Sequence, residues 1–166
     1  MSRAGFVALA GRPNVGKSTL LNHIVGTKVA IVSNRPQTTR RAIRGIATGE
    51  DWQLVVVDLP GVQRPRDPLT ERMQGRMEQE LKGSDAALLV LSGDQKAGPG
   101  DRFIAEAIRN TGIQAVIAVN KVDLLSRART IAALEAAASL ELDAEIYPVS
   151  ARTGAGVGTS FERWST

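Results

Sequence analysis

Near the start of the chain, Gly11-Arg12-Pro13-Asn14-Val15-Gly16-Lys17-Ser18 fits the pattern G-x-x-x-x-G-K-[ST]. Polyphosphate is a dense anion that needs many donors at short range. A loop wrapped around it aims successive backbone N–H groups inward, and the glycines permit both the turn and the close approach. A helix that begins where the loop ends adds the positive end of its dipole. Lys17 supplies a mobile cation for the outer phosphates. The hydroxyl of Ser18 supplies an oxygen ligand for Mg²⁺, and Thr19 continues the same turn. An ordinary Gly-rich turn needs neither the lysine nor the flanking strand and helix, and both are present here.

Two later motifs extend this chemistry. Asp58-Leu59-Pro60-Gly61 ends the apolar run Leu54-Val55-Val56-Val57. A carboxylate at the end of a buried strand can hold Mg²⁺, usually through water because that ion dehydrates reluctantly. The Gly61 N–H can approach a terminal phosphate. Asn120-Lys121-Val122-Asp123 follows the apolar segment 114–119. The paired oxygens of Asp123 match the N1 and N2 donors of guanine. Adenine lacks that donor pair and would leave the acceptors unpaired. Asn120 can donate to the base and tie loops together, and the Lys121 stem can cover the base plane. A backbone N–H at Ser150-Ala151 can reach the guanine oxygen. Each short motif alone is more often a turn; the order and separation of the three make them one site.

The elements that must hold these residues are legible as alternating segments. Strands are expected over 6–10, 41–48, 53–58, 86–91, 114–119 and 146–149. Helices are expected over 17–25, 69–82, from Pro99-Gly100-Asp101 to about 110, from 126 or 127 to 139, and over a short terminal stretch 157–164. Leu69, Met73, Met77 and Leu81 recur at helical spacing. Gly49-Glu50-Asp51 reads as a hairpin turn. Residues 29–32 form a brief apolar stretch, and 33–40 and 60–68 read as loops. Strands alternating with helices predict an α/β fold: a three-layer P-loop NTPase domain with a mainly parallel six-stranded sheet, one antiparallel strand and helices on both faces.

The bulk composition agrees. The 166 residues suit one domain, and 43% hydrophobic residues with only 4% aromatics imply an aliphatic core. The absence of cysteine rules out disulfides and thiolate metal sites. A net charge of +4 favours anionic partners such as nucleotide, RNA or acidic lipid, and equally fits a solvated Arg-rich surface. No stretch approaches the roughly 20 apolar residues that span a bilayer. Arg35, Arg40, Arg41 and Arg44 read either as a solvated face or as an RNA-contacting patch. His23 is a lone histidine without a catalytic partner, and Trp164 is expected to dock the terminal helix.

Taken in order, the motifs resemble the Ras-like translation-factor-type GTPases, and more finely the bacterial Era family. The carrying segments are Gly11 to Asn22, Lys28-Val29-Ala30-Ile31-Val32-Ser33, Pro36-Gln37-Thr38-Thr39-Arg40, Arg44-Gly45-Ile46 and Ala118-Val119-Asn120-Lys121-Val122-Asp123. The resemblance implies GTP and GDP as ligands, Mg²⁺ held by Ser18, Thr39 and Asp58, and slow GTP hydrolysis with Lys17, Thr39 and Gly61 as catalytic residues. Thr38 stands second to Thr39 as the switch threonine, and Leu59, Pro60 and Val62 line the second switch. It also implies K⁺ at Asn14, 16S rRNA and the small ribosomal subunit as partners, and a cytoplasmic protein with peripheral association at the inner membrane. Three features mark this sequence. Leu59 stands where the family usually has Thr. Val62, as in the family, cannot orient water as the Ras glutamine does. The chain reads as one Era-type domain over 1–166, cut within or after its last helix, with no G-x-x-G core of a KH domain. Alternatives are a nucleotide-binding fragment with little hydrolysis or RNA binding, or another GTPase of ribosome assembly or tRNA modification.

Overall fold

The computed structural model of the chain describes residues 3–12, 14–25, 43–59 and 71–157. Strands and helices alternate through them: β1 (Arg3–Ala10), α1 (Lys17–Val25), β2 (Ile43–Thr48), β3 (Trp52–Asp58), α2 (Glu71–Lys82), β4 (Ala86–Ser92), α3 (Pro99–Thr111), β5 (Gln114–Asn120), α4 (Arg127–Ala138) and β6 (Ala144–Pro148). A single 3-10 turn, Val122–Leu124, follows β5. The six strands form one sheet in the order β2-β3-β1-β4-β5-β6. Only the β2–β3 pair is antiparallel; the other four pairings are parallel. The alternation of segments predicts this mixed sheet.

Sheet and helices are joined by two aliphatic cores. β4 is buried at every position, so its side chains divide by pleat between the two faces. Ala87, Leu89 and Leu91 meet Met77 and Leu81 of α2, Phe103, Ile104 and Ile108 of α3, and Ala137 of α4. Leu88 and Val90 face the other way and meet Val7 and Leu9 of β1 with Leu20 and Leu21 of α1. Each fully buried Leu or Ile contributes about 1.5–3 kcal/mol through removal of apolar area from water.

Local signals set the helix ends. α3 carries Pro99 in its first turn, and its Asp101 carboxylate accepts from the Gly98 N–H at 2.9 Å. It ends at Gly112, whose φ of 71° suits a residue without a Cβ. α4 starts where Ser126 Oγ accepts from the Arg129 N–H at 3.2 Å.

Several boundaries differ from the sequence reading. β1 begins at Arg3 rather than Phe6, because Arg3, Ala4 and Gly5 pair with Trp52, Gln53 and Leu54 without needing an apolar pattern. β6 begins at Ala144 rather than Ile146 and ends at Pro148. It is an edge strand, so half-exposed Ala144 and exposed Glu145 pair with Ala115 and Val116 and carry no apolar run. The β2–β3 ladder shifts register between Ile43 and Gly45. The stretch 29–32, the loops 33–40 and 60–68, the first two expected residues of α2, and the terminal helix after Val157 lie outside the described residues.

Candidate nucleotide-binding site

The motif residues gather at the carboxyl ends of β1, β3, β5 and β6. Since β1 pairs with β3 on one side and β4 on the other, the strand order reverses beside it. Open α/β sheets bind ligands at the crevice such a reversal leaves. The phosphate loop fills the step from β1 to α1. A Cβ on Gly11 would stand 2.8 Å from the Val90 carbonyl oxygen, so the loop leaves the sheet too close to β4 for any side chain there. Gly16 has φ 96°, and the Asn120 amide nitrogen lies against its Cα where a Cβ would project. Asn14 adopts φ 66°. Val15 turns its side chain into the core under the loop, 1% exposed. Lys17 folds back over the loop, its Nζ donating to the Gly11 carbonyl at 2.9 Å. Ser18 and Thr19 are exposed on the first turn of α1.

Three loops meet at Asn120, which is 2% exposed. Its Nδ2 donates to the Val15 carbonyl at 2.8 Å, and its Oδ1 accepts from the Ala151 N–H at 2.8 Å. One carboxamide therefore satisfies two buried backbone groups from different loops. Of the two roles expected of Asn120, loop tie and donor to a base, the described contacts are those of the tie. Lys121 adopts φ 68°, and its Nζ donates to the Asn14 carbonyl at 2.9 Å. Asp123 is exposed, and its Oδ1 accepts from the buried Ser150 hydroxyl at 2.9 Å. Ser150 Oγ also accepts from the Thr153 N–H at 3.1 Å. These groups border a pocket of about 200 Å³ whose walls include Gly16, Thr19, Asn120, Lys121, Asp123 and Ala151. Leu124 and Arg152 complete it, and neither stands out in the sequence.

Other expected site residues are placed differently. The Arg12 guanidinium turns away from the loop interior, its Nε donating to Asp101 Oδ1 at 2.9 Å. Leu59 is 4% exposed within the core, and half-buried Val122 packs against that same core with its N–H given to the Val149 carbonyl. Asp58 ends β3 opposite Leu9, and Leu59 N–H donates to the Leu9 carbonyl at 3.1 Å, which puts that strand end beside the phosphate loop. Pro13, Thr38, Thr39, Pro60, Gly61 and Val62 lie outside the described residues, as do Arg35, Arg40, Arg41 and Trp164. Among the described residues, no group of three or more His, Cys, Asp or Glu could hold a metal. The donor set expected for Mg²⁺ is of another kind, a helix hydroxyl and a strand-end carboxylate. His23 is exposed on α1. No helix among the described residues is long and apolar enough to cross a membrane.

Residues 6–121 match the family of 50S ribosome-binding GTPases. GTPase Era of Mycobacterium tuberculosis is 47% identical over 155 residues, which is 91% of this chain and 52% of that protein. GTPase Era of Clostridium beijerinckii is 43% identical over 162 residues, 98% of this chain and 54% of that protein. The chain thus spans about half the length of the curated relatives it matches. Among solved structures, Era bound to MgGDPNP and nucleotides 1506–1542 of 16S ribosomal RNA superposes with a TM-score of 0.73 at 32% identity, covering 99% of this chain and 56% of that one. A variant of Aquifex aeolicus Era bound to GDP and AlF4⁻ gives 0.73 at 31%, with 98% and 56% coverage. The G-domain of FeoB from Methanococcus jannaschii, at 22% identity and a TM-score of 0.64, shares the fold. With a phosphate loop, a buried carboxamide tie and an acidic base loop converging on one crevice, the chain belongs to the 50S ribosome-binding GTPase family, as one of its Era-type members.

Proposed function

We propose that this domain binds guanine nucleotide with Mg²⁺ and hydrolyses GTP to GDP and phosphate. The observation that carries the reading is the Asn120 carboxamide, which holds the phosphate loop and the base loop in one fixed relation. The base enters the pocket beside Asp123, whose Oδ1 is already oriented by Ser150. A carboxylate fixed by a hydroxyl loses little freedom when it accepts from guanine, and adenine leaves it unpaired. The phosphates follow the loop toward Lys17, whose ammonium exchanges the Gly11 carbonyl for phosphate oxygens.

Ser18, Asp58 and Thr39 are the residues that would hold Mg²⁺, and the bound ion would neutralise charge on the outer phosphates. In hydrolysis, water oxygen forms a bond to the γ-phosphorus while the bond from that phosphorus to the β–γ bridging oxygen breaks. GDP, inorganic phosphate and a proton result. Lys17 and the loop N–H groups stabilise the charge that develops, and Gly61 adds a backbone donor. Val62 offers no group to orient the water, so unaided turnover is slow. Asn14 is the residue through which K⁺ acts. By similarity to the Era relatives, the domain works on the small-subunit 16S rRNA pathway.

Two measurements test this. Titration with fluorescent GDP against an ADP control should show guanine binding alone. Phosphate release from GTP should require Mg²⁺ and rise when K⁺ replaces Na⁺. Equal binding of GDP and ADP would sink the nucleotide assignment; binding without phosphate release would sink the enzymatic one.

A further inference from the structure

We infer that Asp101 is a positioning residue for the phosphate loop, acting through Arg12, an inference that rests on the nucleotide-binding role proposed above. Asp101 lies on the first turn of α3, 89 residues from Arg12, and is 1% exposed. A carboxylate taken so far out of water needs compensation, and it finds two partners. Oδ2 accepts from the Gly98 N–H at 2.9 Å, and Oδ1 accepts from Arg12 Nε at 2.9 Å. The arginine stem lies along the start of α3, its Cδ 3.0 Å from the position a Cβ on Gly100 would take. Gly100 therefore leaves room for the guanidinium to reach the buried acid.

The consequence is mechanical. The far side of the phosphate loop is held by Asn120 on the Val15 carbonyl and Lys121 on the Asn14 carbonyl. Among the described residues, the first arm, next to Gly11, is held from within the loop by Lys17 Nζ on the Gly11 carbonyl at 2.9 Å, a bond that nucleotide phosphates would displace. Arg12 to Asp101 is its anchor to another element. It ties the loop to α3, which packs in the core against α2, the helix that follows the second Mg²⁺ motif. Glu78 of α2 and Asn110 of α3 add a hydrogen bond of 2.8 Å between the two helices. The charged pair holds the loop's N–H groups at the spacing that phosphates require, so its loss should act on the phosphate end and spare base selection.

The test is a double-mutant cycle on the full chain, using Asp101→Asn, Arg12→Gln and the pair. Asp101→Asn keeps an acceptor for Gly98 and replaces the charged oxygen that faces Arg12 by an NH2 donor. Release of fluorescent GDP is followed by stopped flow, with melting of the nucleotide-free protein in parallel. Each single variant should release GDP about tenfold faster, the scale of one charge-assisted hydrogen bond. The double variant should release it no faster than either single variant, and the ratio of GDP to IDP affinity should stay at the wild-type value. Losses that multiply in the double variant would mean that Asp101 merely caps α3, and the inference would fall. So would release at the wild-type rate, or a changed GDP to IDP ratio. If Asp101→Asn melts below the assay temperature, Arg12→Gln alone decides: its side chain is 27% exposed and outside both cores, and wild-type release would overturn the proposal. Failure of the wild-type chain to bind GDP would instead strike the underlying nucleotide reading.

Discussion

Asn120 donates to the carbonyl of Val15 across 2.8 Å, joining residues 105 positions apart. The bond is buried, and the same carboxamide accepts from Ala151. Asn120→Ala would orphan a carbonyl and an N–H, at a cost of about 1–3 kcal/mol for each group left unpaired. Its urea midpoint should fall and GDP binding should be lost. Asn120→Asp keeps the acceptor for Ala151 but sets an oxygen against the Val15 carbonyl. A carboxylate buried against a carbonyl oxygen costs at least as much as the groups alanine leaves unpaired, so this variant should be no more stable than Asn120→Ala and should bind GDP equally poorly. Urea unfolding with parallel fluorescence titration separates the two effects, and wild-type affinity in either variant would contradict the tie.

Base choice is expected to sit on Asp123. Asp123→Asn replaces one acceptor by a donor, which suits the second carbonyl of xanthine. GTP affinity should drop at least about a hundredfold, the scale of leaving a site's polar groups mismatched, while XTP binds better than in the wild type. Competition titrations with GTP and XTP report the exchange. Retained preference for GTP would remove Asp123 from the base pocket.

The Mg²⁺ assignment predicts that chelation with EDTA accelerates GDP release in the wild-type chain. Ser18→Ala, lacking the hydroxyl ligand, should release GDP quickly with or without the chelator. Because Ser18 is exposed on the first turn of α1, its removal should leave the unfolding free energy of the nucleotide-free protein within about 0.5 kcal/mol of wild type. An EDTA response of normal size in Ser18→Ala would exclude that hydroxyl from the ion.

Leu89 sits in the middle of β4 with no exposed surface. Leu89→Ala should cost about 2–5 kcal/mol through lost transfer energy and the cavity left behind. The guanine over adenine preference of whatever fraction remains folded should be unchanged, since the side chain lies in the core formed by α2, α3 and α4. Denaturant unfolding and nucleotide competition on the same sample measure both.

The residues proposed to face phosphate or base were legible as motifs because the chemistry proposed for them restricts residue type and spacing. A polyphosphate cradle needs Gly11, Gly16 and Lys17, and no packing context changes that. The sheet was legible for a related reason: Leu88, Leu89, Val90 and Leu91 can only be buried on both faces. What stayed hidden were contacts in which the motif residue is one half of a long-range pair. Arg12 occupies a position the motif leaves free, and its partner Asp101 reads in sequence as a helix-opening residue. The hydroxyl of Ser150 orients Asp123, whereas the sequence drew attention to the backbone of that loop. The early start of β6 escaped because a half-exposed edge strand has no continuous apolar run.

Among the described residues, three that are not glycine hold a positive φ, and two of them, Asn14 and Lys121, are bonded to each other. Each backbone sits roughly 1–2 kcal/mol above its relaxed conformation. Across the seat for nucleotide, two sprung loops thus lean together like the halves of an arch. Dislodging Lys121 frees Asn14 to relax as well, so departure of the purine and slackening of the phosphate grip should happen as one event.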